Sequence, residues 1–298
     1  MPLQHMAGPR GWPGRACHGA CLLLAAGLLA RAGGAAAAAD PGDIPARIAG
    51  RVVFVPVCLN GQGPFQFIVD TGATETIVTP ATARAAGIAT IPYPGVQKKG
   101  VVGSLSVGRT SVTNLPVFLF DPPQAMSLRL DEGINYGGIL GYTFLSRMVT
   151  TIDYSRCVVR FQSPFGVAEP RAATGEFVIP FRLVDRLIHV AGKVNQAGPV
   201  TFLLDTGSAE VLLTPPVAEQ LKLKSVPLPG FPGARLATLD LLSVGDATVP
   251  QIQAIIHRPP GERIAGATYQ GIAGYPFLSG FVVTIRYDKP TIHLAPSR

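Results

Sequence analysis

Charged side chains are scarce in this chain of 298 residues, making up 14% of it against 47% for hydrophobic residues. Such a composition is ample for one large core or two of modest size, and it predicts a globular body. There is no clustered Lys/Arg stripe beyond Lys98-Lys99, which argues against a nucleic-acid partner. No Cys/His spacing suggests a metal site, and His189, His257 and His293 stand singly. We therefore expect neither a metal nor another cofactor.

A long apolar run is also missing, although the first 39 residues differ from the rest. They contain three arginines, no acidic residue and a short apolar stretch at 21–30, followed by Ala- and Gly-rich sequence. This pattern predicts a secretory signal peptide over residues 1–39 and an exported protein, periplasmic or secreted. The run is too short for a stable membrane anchor. An uncleaved N-terminal anchor is the alternative, disfavoured because Arg31 interrupts the run.

What the sequence does contain is one element present twice. The tripeptide Asp-Thr-Gly occurs at residues 70–72 and 205–207, each time behind an apolar run. Shifted by 135 positions, the two surroundings align without a gap, and a second block, ending at Tyr154 and at Tyr287, recurs at an offset of 133. Two copies of this size indicate two lobes of one design rather than a short-period solenoid.

Short β-branched runs punctuated by Gly, Pro and Asn predict an all-β body around the duplicated element. The clearest helical candidates are 80–86 and 215–221, which begin with Thr-Pro in the manner of a capped helix start. Between the copies, residues 162–177 are rich in Pro, Gly and small residues, which is typical of a linker. We therefore predict an N-terminal lobe at 40–161, a linker at 162–177 and a C-terminal lobe at 178–298.

The sequence has four cysteines, of which Cys17 and Cys21 belong to the predicted signal peptide. The other two, Cys58 and Cys157, lie near the beginning and the end of the first lobe, where an oxidising compartment would allow a disulfide. Two buried free thiols are the alternative, because burial is common for cysteine. The sequence leaves both possibilities open.

The two Asp-Thr-Gly tripeptides point to a pair of carboxyl groups. One Asp in such a turn would most simply cap the next amide at the surface. Here Asp70 follows Phe-Ile-Val and Asp205 follows Phe-Leu-Leu, so both approaches are apolar, and buried charges are tolerated only when they are paired or neutralised. Two carboxyls that face each other share a proton and can activate a water molecule for peptide-bond hydrolysis.

The neighbours of the two aspartates have predicted supporting roles. Gly72 and Gly207 let the backbone come close where a side chain would collide. The hydroxyls of Thr71 and Thr206 are positioned to lock the two turns together across the lobe interface.

The copies differ at the position directly after the tripeptide, where Ala73 follows the first and Ser208 follows the second. A Ser208 hydroxyl that donates to Asp205 would favour the charged form of that carboxyl. We therefore predict that Asp205 is the ionised partner and Asp70 carries the proton.

These paired turns are followed, about seventy residues later, by Ile139-Leu140-Gly141 and Ile272-Ala273-Gly274. In this combination the chain resembles the aspartic proteases of the pepsin and retropepsin type, most of all the bacterial retropepsin-like enzymes, with both lobes on one polypeptide. The resemblance implies an all-β, bilobal fold with the catalytic pair at the lobe interface and the later strand threading under each active turn. It also implies a cleft that binds extended peptide under a β-hairpin flap. The flap candidates are 95–106 and 230–243, and neither contains the tyrosine typical of pepsin flaps.

The leading functional hypothesis is an exported aspartic endopeptidase that acts on peptide or protein through Asp70 and Asp205. A catalytically weak peptide-binding module of the same fold is the alternative, which the missing flap tyrosine favours. We expect a monomer whose lobes form an intramolecular pseudo-dimer, because the linker easily spans neighbouring lobes. Active sites formed only between chains are the other possibility. Serine chemistry is disfavoured because no Gly-x-Ser-x-Gly elbow is present.

Overall fold

The computed structural model describes residues 42–93, 98–120, 134–165, 175–257 and 269–297. The predicted signal peptide lies outside these ranges, as does most of the predicted linker, of which only both ends are described. Within the described ranges the chain is mostly β-strand with short helices, so the all-β prediction is confirmed. The first half contains β1 Ile44–Pro45, β2 Arg47–Ala49, β3 Val52–Leu59, β4 Gln62–Val69, β5 Ile77–Val78, α1 Pro80–Ala85, β6 Thr90–Pro92, β7 Lys98–Val107, β8 Thr110–Leu119, β9 Tyr136–Leu140, α2 Tyr142–Leu145, β10 Val149–Asp153 and β11 Val158–Gln162.

The second half repeats this order almost element by element. It contains β12 Phe177–Pro180, β13 Arg182–Val184, β14 Leu187–Val194, β15 Ala197–Leu204, β16 Val211–Leu213, α3 Pro215–Gln220, β17 Val226–Pro227, β18 Arg235–Val244, β19 Ala247–Ile256, β20 Gly271–Ala273, α4 Tyr275–Leu278, β21 Phe281–Arg286 and β22 Thr291–Pro296.

Each half folds into an eight-stranded sheet with the same strand order. The order is β2-β3-β4-β9-β5-β8-β7-β6 in the first lobe and β13-β14-β15-β20-β16-β19-β18-β17 in the second. Additional pairings of β3 with β7 and of β14 with β18 bring the ends of each sheet together. The bilobal prediction from the duplicated sequence is therefore confirmed.

A third sheet joins the two lobes into one body. Its six strands run β1-β11-β10-β21-β22-β12, so that β10 of the first half pairs with β21 of the second. The hydroxyls of Thr151 and Thr284 lie 2.9 Å apart across this seam. Backbone hydrogen bonds, not only side-chain packing, therefore hold the lobes together.

The sequence explains why these strands and turns form where they do. In β3, Val53, Val55 and Val57 alternate into the main hydrophobic core, as a period of two requires. The hairpins that follow β3 and β14 turn at Asn60 and Asn195, both in the left-handed region, with φ of 50° and 48°. Asparagine tolerates that region better than other non-glycine residues do, so the Asn-containing turns end each strand at the right place.

The two predicted helices are present and end one residue earlier than expected. Thr79 caps α1, because its hydroxyl accepts a hydrogen bond from the Thr82 amide at 3.2 Å. Thr214 precedes α3 but donates instead to the Gln270 carbonyl at 3.2 Å. The one-turn helices α2 and α4, which directly follow Gly141 and Gly274, were not predicted.

The disulfide between Cys58 and Cys157 is not formed. Cys157 is a free cysteine with φ of 52° in the exposed turn between β10 and β11. Cys58 lies half-buried in β3, which belongs to a different sheet. The alternative of two buried free thiols is also wrong, because Cys157 is exposed.

At one buried position the apolar residue of the first lobe is replaced by a histidine in the second, since Phe54 of β3 corresponds to His189 of β14. His189 is 7% exposed, and its Nε2 atom has no hydrogen-bond partner within the residues that the structure describes. Burial lowers the pKa of this imidazole below its ordinary value of 6.5, while nearby Asp185 raises it to a lesser extent.

Replacing His189 with Phe is expected to make the protein less sensitive to acid. Because the folded state lowers the pKa of His189, the unfolded chain binds more protons below pH 6.5, so the stability of the parent falls as the pH falls. Phenylalanine does not titrate, so the variant does not lose stability at low pH for this reason. Denaturant unfolding at pH 7.5 and pH 5, as the two test conditions, should show a stability gain for His189→Phe that grows toward acid, and a constant difference would contradict the assignment.

Candidate active site

The two Asp-Thr-Gly turns begin where two apolar strands end. β4 ends at Val69 and β15 ends at Leu204, so Asp70 and Asp205 are the first residues beyond them. The Asp70 amide donates to the Leu140 carbonyl at 3.1 Å, and the Asp205 amide donates to the Ala273 carbonyl at the same distance. The strand that carries Ile-Leu-Gly or Ile-Ala-Gly thus supports each turn, as the resemblance implied.

This supporting strand lies between the two parts of the active loop. β9 pairs in parallel with β4 and antiparallel with β5, and β20 does the same with β15 and β16. A Cβ atom at Gly141 would lie 2.8 Å from the Ala73 carbonyl, and one at Gly274 would lie 2.6 Å from the Ser208 carbonyl. Glycine is therefore required where the strand passes under the turn.

The two threonines lock the turns together across the lobe interface. The Thr71 amide donates to Thr206 Oγ1 at 3.1 Å, and the Thr206 amide donates to Thr71 Oγ1 at 3.0 Å. Each hydroxyl in turn donates to the opposite lobe, that of Thr71 to the Leu204 carbonyl at 2.7 Å and that of Thr206 to the Val69 carbonyl at 2.8 Å. Both threonines are 1% exposed. The four bonds fix the relative position of the turns.

The carboxyls of Asp70 and Asp205 meet at this interface within one chain. The two side chains lie within hydrogen-bonding reach of each other. Each carboxyl also accepts a hydrogen bond from the glycine amide of its own turn, Gly72 to Asp70 at 2.7 Å and Gly207 to Asp205 at 2.8 Å. A Cβ atom at Gly72 would lie 2.6 Å from the carboxyl carbon of Asp205, and one at Gly207 would lie 2.5 Å from an oxygen of Asp70. Each glycine therefore makes room for the opposite aspartate.

Burial raises the pKa of both carboxyls. The pKa of Asp70 lies well above its ordinary value because of burial first and then the charge of Asp205. The pKa of Asp205 is also raised by burial, but the hydrogen bond from Asp70 and the amides of Gly207, Gly72 and Ser208 lower it in part. Because both carboxyls have a raised pKa and lie next to each other, they titrate as one coupled pair.

This arrangement has counterparts among known proteins. A family model described as aspartyl protease matches residues 55–144 and 190–277, one segment in each lobe and more than half of the chain. The chain belongs to the aspartyl protease family. The crystal structure of an aspartic proteinase from Irpex lacteus is similar over 86% of this chain and 97% of its own, with a TM-score of 0.53 and 14% identity. At that identity the likeness shows the fold. A search of curated proteins finds no match.

Ser208 of this aspartyl protease acts differently from the prediction. Its hydroxyl donates to the Glu210 carbonyl at 3.0 Å rather than to Asp205. Its backbone amide does lower the pKa of Asp205. The groups that lower the pKa of Asp205 are therefore Asp70 and backbone amides, and any residue at position 208 except proline would supply the amide found there.

Replacing Ser208 with Ala is accordingly expected to leave the acidic limb of the pH–rate profile where it is. The change removes a hydroxyl that bonds to Glu210 and keeps the amide near Asp205. The measurement is kcat/KM against pH for the parent and the variant. An upward shift of the acidic limb would instead support the donation to Asp205 that the sequence suggested.

Two ion pairs that sequence reasoning missed connect the lobes on either side of the active turns. Arg51 Nη1 lies 3.0 Å from a Glu210 oxygen, and Arg186 contacts Glu75 in the same way. Both arginines lie in hairpin turns with positive φ, and both partners obey the offset of 135 that relates the copies. That shared offset was the signal available in the sequence. All four side chains are partly exposed, so each pair contributes little stability, on the order of 0.2–1 kcal/mol.

Apolar residues lie next to each active turn, apart from the main core. In the first lobe they include Ile68, Ile77 and Ile139, and Ala73 packs against them. The second lobe has the corresponding cluster of Leu187, Leu203, Leu212, Tyr269 and Ile272. Ala73 and Ile77 of the first cluster and Leu212 of the second are only partly buried, so each lobe exposes some apolar surface near its active turn.

The flap candidates coincide with two hairpins. In the first lobe β6 pairs with β7, and residues 94–97 between them lie outside the described ranges. Tyr93 precedes this gap, two residues before the predicted segment began, and its ring lies 5.6 Å from that of Phe118 with Lys99 Nζ 3.5 Å above it. In the second lobe β17 pairs with β18, and Phe231 between them is 65% exposed. The first flap candidate, 95–106, therefore begins two residues after a tyrosine at the edge of this hairpin.

Two further features concern metal ligands and membrane-spanning helices. In the described ranges, no three His, Cys, Asp or Glu side chains cluster as metal ligands. A helix long and apolar enough to cross a membrane is likewise absent from the part of the chain that the structure describes.

Proposed function

We propose that this aspartyl protease is an aspartic endopeptidase that hydrolyses peptide bonds with the Asp70 and Asp205 pair. The observation that carries the proposal is the close approach of two half-buried carboxyls, within hydrogen-bonding reach of each other and held by the reciprocal threonine bonds. Family membership supports a protease function.

In this mechanism the pair works on a water molecule without a covalent intermediate. Asp205, the charged partner, takes a proton from the water, while Asp70 donates its proton to the oxygen of the scissile carbonyl. The water oxygen bonds to the carbonyl carbon and forms a tetrahedral diol. Its collapse breaks the C–N bond: Asp205 delivers the proton it took to the leaving nitrogen, and Asp70 recovers a proton from a hydroxyl of the diol, which restores the starting pair. The rigid turns keep both carboxyls in place throughout, which lowers the reorganisation cost.

The substrate that fits best is an extended peptide with apolar side chains next to the cleaved bond. The partly buried apolar residues near the two active turns, Ala73, Ile77 and Leu212, support this preference. The flap function of the β6–β7 hairpin, with Tyr93 at its edge, belongs to the same proposal. We also propose that one chain forms a complete site as a monomer, since both aspartates come from it.

Export to the periplasm or the medium remains part of the proposal, supported by the composition of residues 1–39. Fractionation of cells that make the protein, with N-terminal sequencing of the product, tests it. Recovery only in the cytoplasm with an intact N-terminus would contradict it.

The activity is tested by incubating the purified protein with a diverse peptide mixture over a range of pH, with and without a pepstatin-type inhibitor. We expect internal cuts between apolar residues that the inhibitor suppresses, from a protein that is monomeric by light scattering. A folded protein that cuts no peptide at any pH would overturn the proposal.

A further inference from the structure

Four tyrosines form two ring pairs that cross the lobe interface near the aspartate pair. The rings of Tyr142 and Tyr287 are 5.6 Å apart at 83°, and those of Tyr154 and Tyr275 are 5.5 Å apart at 85°. The offset of 133 between the copies relates Tyr142 to Tyr275 and Tyr154 to Tyr287. Each pair therefore joins one lobe to the other, and the two pairs are equivalent.

One member of each pair is fastened directly to an active turn. The Tyr142 amide donates to the Ala73 carbonyl at 2.9 Å, and the Ala73 amide donates to the Asp70 carbonyl at 3.4 Å. In the second lobe the Tyr275 amide donates to the Ser208 carbonyl at 2.8 Å, and the Ser208 amide donates to the Asp205 carbonyl at 3.3 Å. Tyr287 and Tyr154 thus pack against the segments that hold Asp70 and Asp205, each from the opposite lobe.

The hydroxyls of Tyr154 and Tyr287 are buried. In the described part of the chain, neither has a hydrogen-bond partner. An unsatisfied buried hydroxyl costs about 1–3 kcal/mol, whereas phenylalanine at the same place would keep the ring contact without that cost. Both copies nevertheless have tyrosine there. A packing role alone does not account for the hydroxyl.

Electrostatics connects these hydroxyls with the aspartates. Burial raises the pKa of Tyr154 and of Tyr287 far above the ordinary value, so both phenols stay neutral. After burial, the paired tyrosine is the larger cause in each case, and the charge of Asp205 for Tyr154 or of Asp70 for Tyr287 is the smaller one. The ring contacts and the amide bonds to the active turns likewise place Tyr154 on the Asp205 side of the site and Tyr287 on the Asp70 side.

We propose that Tyr154 and Tyr287 are positioning residues whose buried hydroxyls each bind a water molecule behind the aspartate of the opposite lobe and stabilise its ionised form. A neutral phenol that donates through a water supplies a hydrogen bond to a carboxylate and no charge. Tyr154 then acts on Asp205 and Tyr287 on Asp70. The proposal rests on the proposed endopeptidase function, because it assigns these residues to the same aspartate pair.

The test is the pH–rate profile of kcat/KM for Tyr154→Phe, Tyr287→Phe and the double variant. Loss of a hydrogen-bond donor raises the pKa of the carboxyl whose ionised form it stabilised. We expect Tyr154→Phe to move mainly the acidic limb to higher pH and Tyr287→Phe mainly the alkaline limb, each by roughly half a unit to one unit. The double variant should show both shifts.

Tyr142→Phe and Tyr275→Phe are the matched controls. They lie in the same ring pairs, are only partly buried, and support the active turns through backbone amides that phenylalanine retains. We expect neither control to move a limb. Unchanged limbs in Tyr154→Phe and Tyr287→Phe, whatever happens to stability, would overturn the proposal and leave the pairs a packing role.

A second measurement does not depend on turnover. Carbon-13 NMR of labelled aspartate side chains follows the titration of Asp70 and Asp205 directly, with Asp70→Asn and Asp205→Asn proteins to assign the signals. The titration should move upward in the two phenylalanine variants even if the parent cleaves no peptide. An inactive parent would refute the proposed function, whereas unchanged titration curves would refute the role of the tyrosines.

Discussion

Asp70→Asn and Asp205→Asn will each remove most or all peptide cleavage, with a fall in kcat/KM of about 10²- to 10⁴-fold or more. Asparagine keeps the shape of the side chain but can neither take a proton from water nor transfer one to the carbonyl. Asp205→Asn should be the more severe change, because the proposed mechanism uses Asp205 as the base. The measurement is the rate on one peptide substrate across the pH range.

Stability provides an independent readout for the same variants. Burial raises the pKa of both aspartates, so the folded parent binds more protons than the unfolded chain above pH 3.8, their ordinary pKa. The free energy of unfolding of the parent therefore falls as the pH rises above 3.8. The free energy of unfolding of each Asn variant should fall less over the same pH range. Asp246→Asn is the control, because Asp246 is exposed in the turn after β18.

The outcomes separate the two functional hypotheses. Loss of cleavage in folded Asn variants supports the endopeptidase, and full activity in either would refute the assigned pair. A parent that binds peptides but cuts none would favour the peptide-binding module.

Gly72→Ala and Gly207→Ala will have effects of comparable size, although neither glycine takes part in the chemistry. The added methyl group would lie 2.6 Å from the carboxyl carbon of Asp205 in the first case and 2.5 Å from an oxygen of Asp70 in the second. Contacts this short force the turns apart. Displacement of a reacting group by about 1 Å costs on the order of 10²-fold in rate, so we expect at least that loss together with lower stability.

Gly280→Ala is the matched control, since its methyl group would meet the Phe277 carbonyl at an ordinary 3.6 Å. Activity and thermal unfolding are measured for all three variants. Parental activity in Gly207→Ala would contradict the close approach of Gly207 to Asp70 and therefore of the two active turns.

Most of the fold was accessible from the sequence because it is duplicated. An offset of 135 aligned Asp70 with Asp205 and the apolar strands before them, and a repeat that recurs with its turns and glycines predicts two equivalent lobes. Helices α1 and α3 followed from Thr-Pro starts, which are local signals. Helices α2 and α4 have no such signal. They are four residues long and form where the chain leaves the supporting strand.

The misses share a cause, which is that each depended on the direction of a side chain in three dimensions. Ser208 follows Asp-Thr-Gly, but the turn aims its hydroxyl at the Glu210 carbonyl. Cys157 lies in an exposed turn of a sheet that does not contain Cys58.

The sequence by itself determined which residues this aspartyl protease brings to its centre. Two apolar strands that end in Asp-Thr-Gly leave few ways to accommodate their carboxyls other than against each other, since a buried charge needs a partner. Only the tertiary structure decided how that centre is held. The reciprocal threonine bonds, the crossed ion pairs and the tyrosine pairs all join residues more than a hundred positions apart, and their geometry exists only once the two lobes have packed together.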